Sequence, residues 1–317
     1  MSLQIITSGP LSLLQDLGRY GHQSIGVTTG GPMDEHSFLW ANRLLNNDPN
    51  AVQIEVTMGQ FSCQFKKETT FSLTGADMGA TLNGVSIECW QSHSVSAGDQ
   101  LTLRGSRAGM RAYIAVKGGF NAIPLLNSCA TVMRDQMGGI NGDGNKLMAK
   151  DTIGYAETTP MPLTCVPPEF IPKYKQSITL DVFLGYQYES FCELQREKFF
   201  TSTYQLTPQM DRMGCRFSGE PILCQKQNLI SEGIAAGAIQ IPQDGQPIIL
   251  LKDRQTIGGY PKIGCISAKG QRLLAQCLPG AEIQFVEKDI YEAQEERRIE
   301  QAFFESYIGR RRVQEAS

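Results

Sequence analysis

Short apolar or alternating runs cut by glycine dominate the chain. The segments 70–75 (Thr-Phe-Ser-Leu-Thr-Gly), 100–105 (Gln-Leu-Thr-Leu-Arg-Gly) and 111–116 (Arg-Ala-Tyr-Ile-Ala-Val) are strand-sized and bounded by turn residues. The pattern returns in the second half at 178–184, 238–241, 247–251 and 282–286. Many short strands with glycine turns predict a mainly β chain built as sandwiches or barrels. Two helices interrupt the pattern. One follows Pro32-Met33-Asp34, where Asp34 can cap it and Phe38, Ala41 and Leu45 recur on one face; Asn46-Asn47-Asp48-Pro49 ends it. The other is a charged tail from about Asp289, in which Ile299, Phe303 and Tyr307 form a narrow apolar stripe expected to dock on the body or a partner.

Three prolines between Val166 and Lys173 disfavour helix and central strand and mark a linker. The expected organisation is a lobe over 1–165, a second over 174–288 and a helical tail over 289–317. Ala97-Gly98-Asp99-Gln100-Leu101-Thr102-Leu103 and Pro279-Gly280-Ala281-Glu282-Ile283-Gln284-Phe285 are both a turn feeding a strand, a weak internal echo of one half in the other.

Composition narrows the function. The 317 residues are 41% hydrophobic and 19% charged, an ordinary globular balance. A net charge of −3 offers no basic excess for a phosphate backbone, so nucleic acid is not an expected partner. Apolar runs such as 248–251 fall far short of a bilayer span, and no secretory leader is recognisable, which makes the cytoplasm the expected location. Nine cysteines without a CxxC pair, and three histidines without an HxxxH pair, predict reduced thiols and no metal centre. The glycine-rich run 139–146 lacks a phosphate lysine where a P-loop needs one, because Asn145 stands there; it reads as a hairpin loop.

Three segments concentrate polar chemistry. The first, 14–34, combines a high glycine density with Arg19 and Asp34, which would suit an anion; the competing reading is a turn and a helix cap. The second, 209–219, places Asp211 and Arg212 side by side, and neighbours on an extended chain point to opposite sides, so each needs its own partner. Surface ion pairs would explain them equally well; Cys215 has no base nearby and reads as a packed thiol. In the third, 246–264, an apolar strand delivers Asp253, Gln255, Thr256 and Tyr260 into a Gly258-Gly259 turn, which favours a binding loop over a mere turn.

The segments GPMDEHSFLWANRLLNN, LTGADMGATLNG, DRMGCRFSG and EGIAAGAIQIPQDGQPIILLKDRQTIGGYPKIG together resemble the carboxyltransferase A/B domain family, over about residues 9–286. That family includes the C subunit of 5-oxoprolinase, long labelled allophanate hydrolase subunit 2, and the matching domain of urea amidolyase. The resemblance implies two cyclophilin-like β-barrel lobes with a pocket where they meet. For a stand-alone member it implies ATP-dependent opening of the 5-oxoproline lactam to glutamate, together with 5-oxoprolinase subunits A and B. It nominates Asp34, Arg212, Asp253, Gln255, Thr256 and Tyr260 as catalytic or binding residues. Arg19, Gly258 and Gly259 would shape an anion pocket for ATP, held here or by the partner subunits. Arg212 would hold a carboxylate or phosphate, and Asp253 would orient water or a lactam N–H.

Two alternatives remain open. One is biotin-dependent carboxyl transfer to urea or another small amide, with biotin arriving on a partner because no biotinyl Met-Lys-Met site exists here. The other is a non-catalytic regulatory paralogue; a homo-oligomer is compatible with all three. The chain departs from the family pattern at Asn127-Ser128-Cys129-Ala130-Thr131, where members usually carry Gly-Ser-Arg-Ser-Thr, so that Cys129 replaces an arginine. A second family arginine is missing near Asp143, where Lys146 supplies a point cation rather than a fork. These losses imply a changed substrate or weakened catalysis if the arginines bind substrate elsewhere in the family.

Overall fold

Alternation along 111–116 becomes two packed faces. Ala112, Ile114 and Val116 join Phe71 and Leu73 in one apolar core, while Tyr113 and Ala115 pack on Phe38, Ala41 and Leu45. That period of two is what a strand buried on both sides requires. A computed structural model describes residues 2–156, 158, 161–224 and 229–306, and its contacts define two units. The first holds 2–19 and 30–174; the second holds 175–305 together with 20–29, a short excursion of the N-terminal sequence.

The strands of the first unit are β1 (Ser2–Ser8), β2 (Leu11–Gln15), β3 (Gln53–Thr57), β4 (Gly59–Phe65), β5 (Thr69–Asp77), β6 (Thr81–Leu82), β7 (Val85–Ser86), β8 (Gln91–Val95), β9 (Gln100–Gly105), β10 (Ala108–Val116) and β11 (Thr152–Gly154). They form a six-stranded sheet, β11-β1-β4-β9-β6-β7, and a five-stranded sheet, β2-β3-β10-β5-β8. The two ladders meet through apolar faces, Leu3, Phe61, Phe65 and Leu103 from one and Ile54, Phe71 and Ile114 from the other, rather than through backbone pairs. Helix α1 (Glu35–Leu44) covers the outer face of the five-stranded sheet, and Asp34 caps it by accepting from the Ser37 N–H.

The second unit contains β12 (Ser177–Leu184), β13 (Tyr204–Met210), β14 (Gly214–Ser218), β15 (Glu232–Gly233), β16 (Ala238–Gln240), β17 (Ile248–Leu250), β18 (Ile257–Gly258), β19 (Lys262–Ile266) and β20 (Glu282–Glu287). Seven of these close a barrel in the order β12-β19-β16-β17-β14-β13-β20, with β12 and β20 as a parallel pair; β15 and β18 form a separate two-stranded ladder. Closure removes the exposed strand edges that an open sheet would leave. Helices α2 (Glu193–Thr201) and α3 (Ala268–Leu274) lie beside the barrel, and Phe199 of α2 stacks on Phe285 of β20 at 4.5 Å between ring centroids. The chain is thus mainly β, as its pattern predicts, although only the second unit closes its strands into one ladder.

The C-terminal helix α4 (Ile290–Ser306) differs from its sequence reading in how it is held. Ile299 is exposed, and no side chain of the helix is buried. Ion pairs tie it down instead, Arg272 to Glu300 and Lys288 to Glu296. An apolar stripe this sparse buries too little area to dock a helix; Tyr307, its third member, lies outside the described residues.

Candidate active site

Asp34 is 2% exposed and sits in a closed hydrogen-bond network of the first unit. Its carboxylate accepts from Ser37 N at 3.1 Å and Ser37 Oγ at 2.6 Å, and its own N–H donates to Tyr113 Oη at 2.7 Å. Tyr113 in turn donates to Glu55 at 2.7 Å, and burial, with the Glu55 carboxylate second, holds its phenol well above the ordinary tyrosine range. This is a structural cap first.

Arg19, 1% exposed, belongs to the same unit. Its guanidinium donates to the carbonyls of Leu125, Ser128 and Ala130 at 2.9–3.0 Å. Asp16 braces that loop, accepting from Ser128 Oγ and the Cys129 N–H at 2.6 Å each. The departure from the family pattern therefore falls on the loop that grips Arg19. Burial pushes the Cys129 thiol up to about 11, and the nearby Asp16 carboxylate adds to the shift. A neutral thiol cannot replace a guanidinium as an anion clamp.

The second unit brings Arg212 and Asp253 together. Arg212 Nε and Nη2 donate to the two Asp253 oxygens at 2.8 and 2.9 Å, a bidentate fork between residues each 5% exposed. Asp211 turns the other way and accepts from the Met213 and Gly214 N–H groups, so the adjacent charges do find separate partners. The Asp253 N–H donates to the Arg212 carbonyl at 2.8 Å, which locks the start of the polar loop to the β13–β14 turn. Arg254 secures the next residue: its guanidinium donates to the carbonyls of Ile234 and Leu251, and its own carbonyl accepts from Thr28 Oγ1 at 3.3 Å.

Beyond this framework the loop opens. Gln255, Thr256, Gly258 and Gly259 are half-buried and Tyr260 is 49% exposed. Gly259 and Tyr260 line a pocket of about 280 Å³ with Ile222, Cys224, Leu229 and Ile241 as apolar walls. Mostly apolar walls with a few polar groups, here Gln243 and Tyr260, are what a small-molecule site offers.

Sequence reasoning missed the polar cluster on the neighbouring strands. Lys262, 8% exposed, pairs with Glu232, and Gln187 Nε2 donates to the same carboxylate at 2.6 Å. Gln187 Oε1 accepts from the Lys262 N–H at 2.7 Å. These donors, led by the Lys262 ammonium and then the Tyr186 hydroxyl, hold the Glu232 carboxyl below its ordinary range. Gln240, 2% exposed, lies in the same neighbourhood, and its Nε2 has no hydrogen-bond partner among the described residues. Leaving such a donor unmatched costs about 1–3 kcal/mol, so it calls for an explanation. The signal for both was one lysine and one glutamine inside otherwise apolar barrel strands.

The residues nominated for ATP do not assemble a triphosphate cradle. Arg19 commits Nε and Nη2 to carbonyls, and the fork of Arg212 is taken by Asp253. Neither Gly258 nor Gly259 has the positive φ from which an anion-binding nest is wound. Among the described residues no group of three or more His, Cys, Asp or Glu could hold a metal ion, and no helix is long and apolar enough to cross a membrane.

The chain is mainly β, with a closed barrel whose strands present a framed polar loop beside a small pocket. Residues 25–287 match the carboxyltransferase domain, subdomain A and B, and the chain belongs to that family. The 5-oxoprolinase C subunit of Escherichia coli is 34% identical over 313 residues, covering 97% of this chain and 98% of that protein. The urea amidolyase of Lachancea kluyveri is 28% identical over 307 residues, 90% of this chain but only 17% of that protein. The crystal structure of the Kluyveromyces lactis urea carboxylase superposes with a TM-score of 0.89 at 25% identity, covering 96% of this chain and 29% of that one.

Proposed function

We propose that the chain is the C subunit of an ATP-dependent 5-oxoprolinase, acting with subunits A and B to open 5-oxo-L-proline to L-glutamate. The observation that carries this reading is the match along 98% of the Escherichia coli protein at 34% identity, whereas a urea amidolyase contains this region as a sixth of a larger protein. A lactam carbonyl is a poor electrophile, and ATP supplies the activation that makes it open to water. No step of that activation is assigned to this chain, because its nominated residues do not fit a triphosphate; the nucleotide belongs with the partner subunits. What this chain contributes is the framed loop. The Arg212–Asp253 pair fixes the loop; Tyr260 lines the apolar-walled pocket, and the half-buried Gln255 and Thr256, earlier on the same loop, would add hydrogen bonds to a small polar solute. The proposed location is the cytoplasm, and the proposed partners are the two other subunits.

The test is co-expression with both partner subunits, followed by measurement of ADP release and glutamate formation. ADP release on adding 5-oxo-L-proline, abolished when this chain is left out and insensitive to avidin, is the expected result. Turnover that requires urea and a biotinylated protein would replace this reading with carboxyl transfer. A stable complex with no turnover of either compound would favour the regulatory one.

A further inference from the structure

The unmatched amide of Gln240 lies where barrel and loop meet. Gln240 stands opposite Lys262 in the β16–β19 ladder, so the two side chains share a face. Glu232, the partner of Lys262, stands opposite Gly258 in the β15–β18 ladder. The polar groups around Gln240 are already matched: Lys262 with Glu232, and Gln187 with both Glu232 and the Lys262 backbone. The Gln240 Nε2 is the group left over, in a strand where leucine or isoleucine would pack without that cost.

Gly258 shows why the space beside this donor matters. A Cβ there would come within 3.1 Å of Gln240 Nε2 and 2.5 Å of Ile234 Cδ1, with Gln255 Nε2 at 3.7 Å. Its φ is not positive, so backbone conformation does not demand glycine. The demand is for close approach, and two amide groups, from Gln240 and Gln255, flank the approach. One residue further along each strand, Ile241 and Gly259 line the 280 Å³ pocket, and the Ile241 N–H donates to the Pro261 carbonyl at 2.9 Å.

From this we infer that Gln240 is a substrate-binding residue, whose side-chain N–H donates to a planar oxygen of a small lactam acid seated against the 255–260 loop. Nε2 is enclosed in this structure, so binding moves the Gly258–Gly259 segment enough to admit that oxygen. Lys262 is neutralised at its own station by Glu232, so the Gln240 N–H is the donor left on this face, and a donor calls for an oxygen acceptor. The inference rests on the proposed lactam reaction for its ligand class. Lactam carbonyl and carboxylate are both planar oxygen acceptors, and probes that carry one without the other separate them.

The experiment is calorimetric titration of the full chain, alone and with its co-purified partners, using 5-oxo-L-proline, 2-pyrrolidinone and L-proline. Gln240→Leu is expected to weaken 5-oxo-L-proline binding at least about tenfold, the loss of one matched buried hydrogen bond. Gly258→Ala, which crowds the donor and leaves Gln240 in place, should do the same and carries the test if Gln240→Leu fails to fold. A parallel loss for 2-pyrrolidinone assigns the bond to the lactam carbonyl; a parallel loss for L-proline assigns it to the carboxylate. No binding of any probe by the wild type, or wild-type affinity in both variants, overturns the inference. A complex that binds 5-oxo-L-proline through Gln240 yet releases no ADP sinks the hydrolase reading alone, and a working hydrolase indifferent to both substitutions sinks this one alone.

Discussion

Replacing Arg212 by methionine is expected to destabilise the second unit by about 3–5 kcal/mol, because it strands the Asp253 carboxylate in a site where both partners are 5% exposed. Asp253→Ala should cost a similar amount by stranding the guanidinium. The double replacement Arg212→Met with Asp253→Leu should recover much of the loss, since two apolar side chains of similar volume remove the desolvation penalty along with the attraction. Its activity should nonetheless stay low: the bidentate fork that orients the entry to the 255–260 loop is gone, and only the backbone bond from the Asp253 N–H to the Arg212 carbonyl remains. Denaturant unfolding of the three variants checks the energies. Equal stability of all three and the wild type would mean that the pair contributes nothing.

The second large effect is expected at Gly138. Its φ is +77° and a Cβ would lie 2.0 Å from the Ala130 carbonyl oxygen, in the loop that grips Arg19. Gly138→Ala therefore combines a left-handed backbone with a collision against main chain that cannot rotate away, a cost of at least about 3 kcal/mol. Gly142 is the control. Its φ is +78° with nothing within 4 Å of a Cβ, so Gly142→Ala should cost only about 1 kcal/mol. Thermal melts that shift equally for both would show that the collision is relieved and the loop is softer than its contacts imply.

What the sequence announces and what it hides follow from range. Helix α1 is legible because its cap, its apolar stripe and its Asn-Asn-Asp-Pro stop lie within sixteen residues of one another. The barrel strands are legible for the same reason: each is a local apolar run ended by a local turn. The Arg212–Asp253 fork is not, because its partners are 41 positions apart and only barrel closure joins them. Nor is the Lys262–Glu232 pair, which depends on two ladders meeting at β18 and β19. The resemblance nominates Arg19 for an anion, yet three carbonyls brought from residues 125–130 take its Nε and Nη2 donors, and nothing near Arg19 in the sequence foretells them. The same distance hides the excursion of residues 20–29 into the second unit.

These contacts redistribute the work among the nominated residues. Asp34 and Arg19 hold the first unit together, Arg212 and Asp253 act as one frame, and Gln255, Thr256 and Tyr260 are the nominated side chains still open to solvent, which the proposed function assigns to the solute. Steady-state turnover of 5-oxo-L-proline by the three-subunit complex, with Gln255→Leu and Thr256→Val combined in this chain, tests that division most directly. The account predicts that kcat/KM falls at least about tenfold while assembly and melting temperature stay at wild-type values. Turnover within about twofold of wild type in an intact complex would mean that the loop does not touch the substrate.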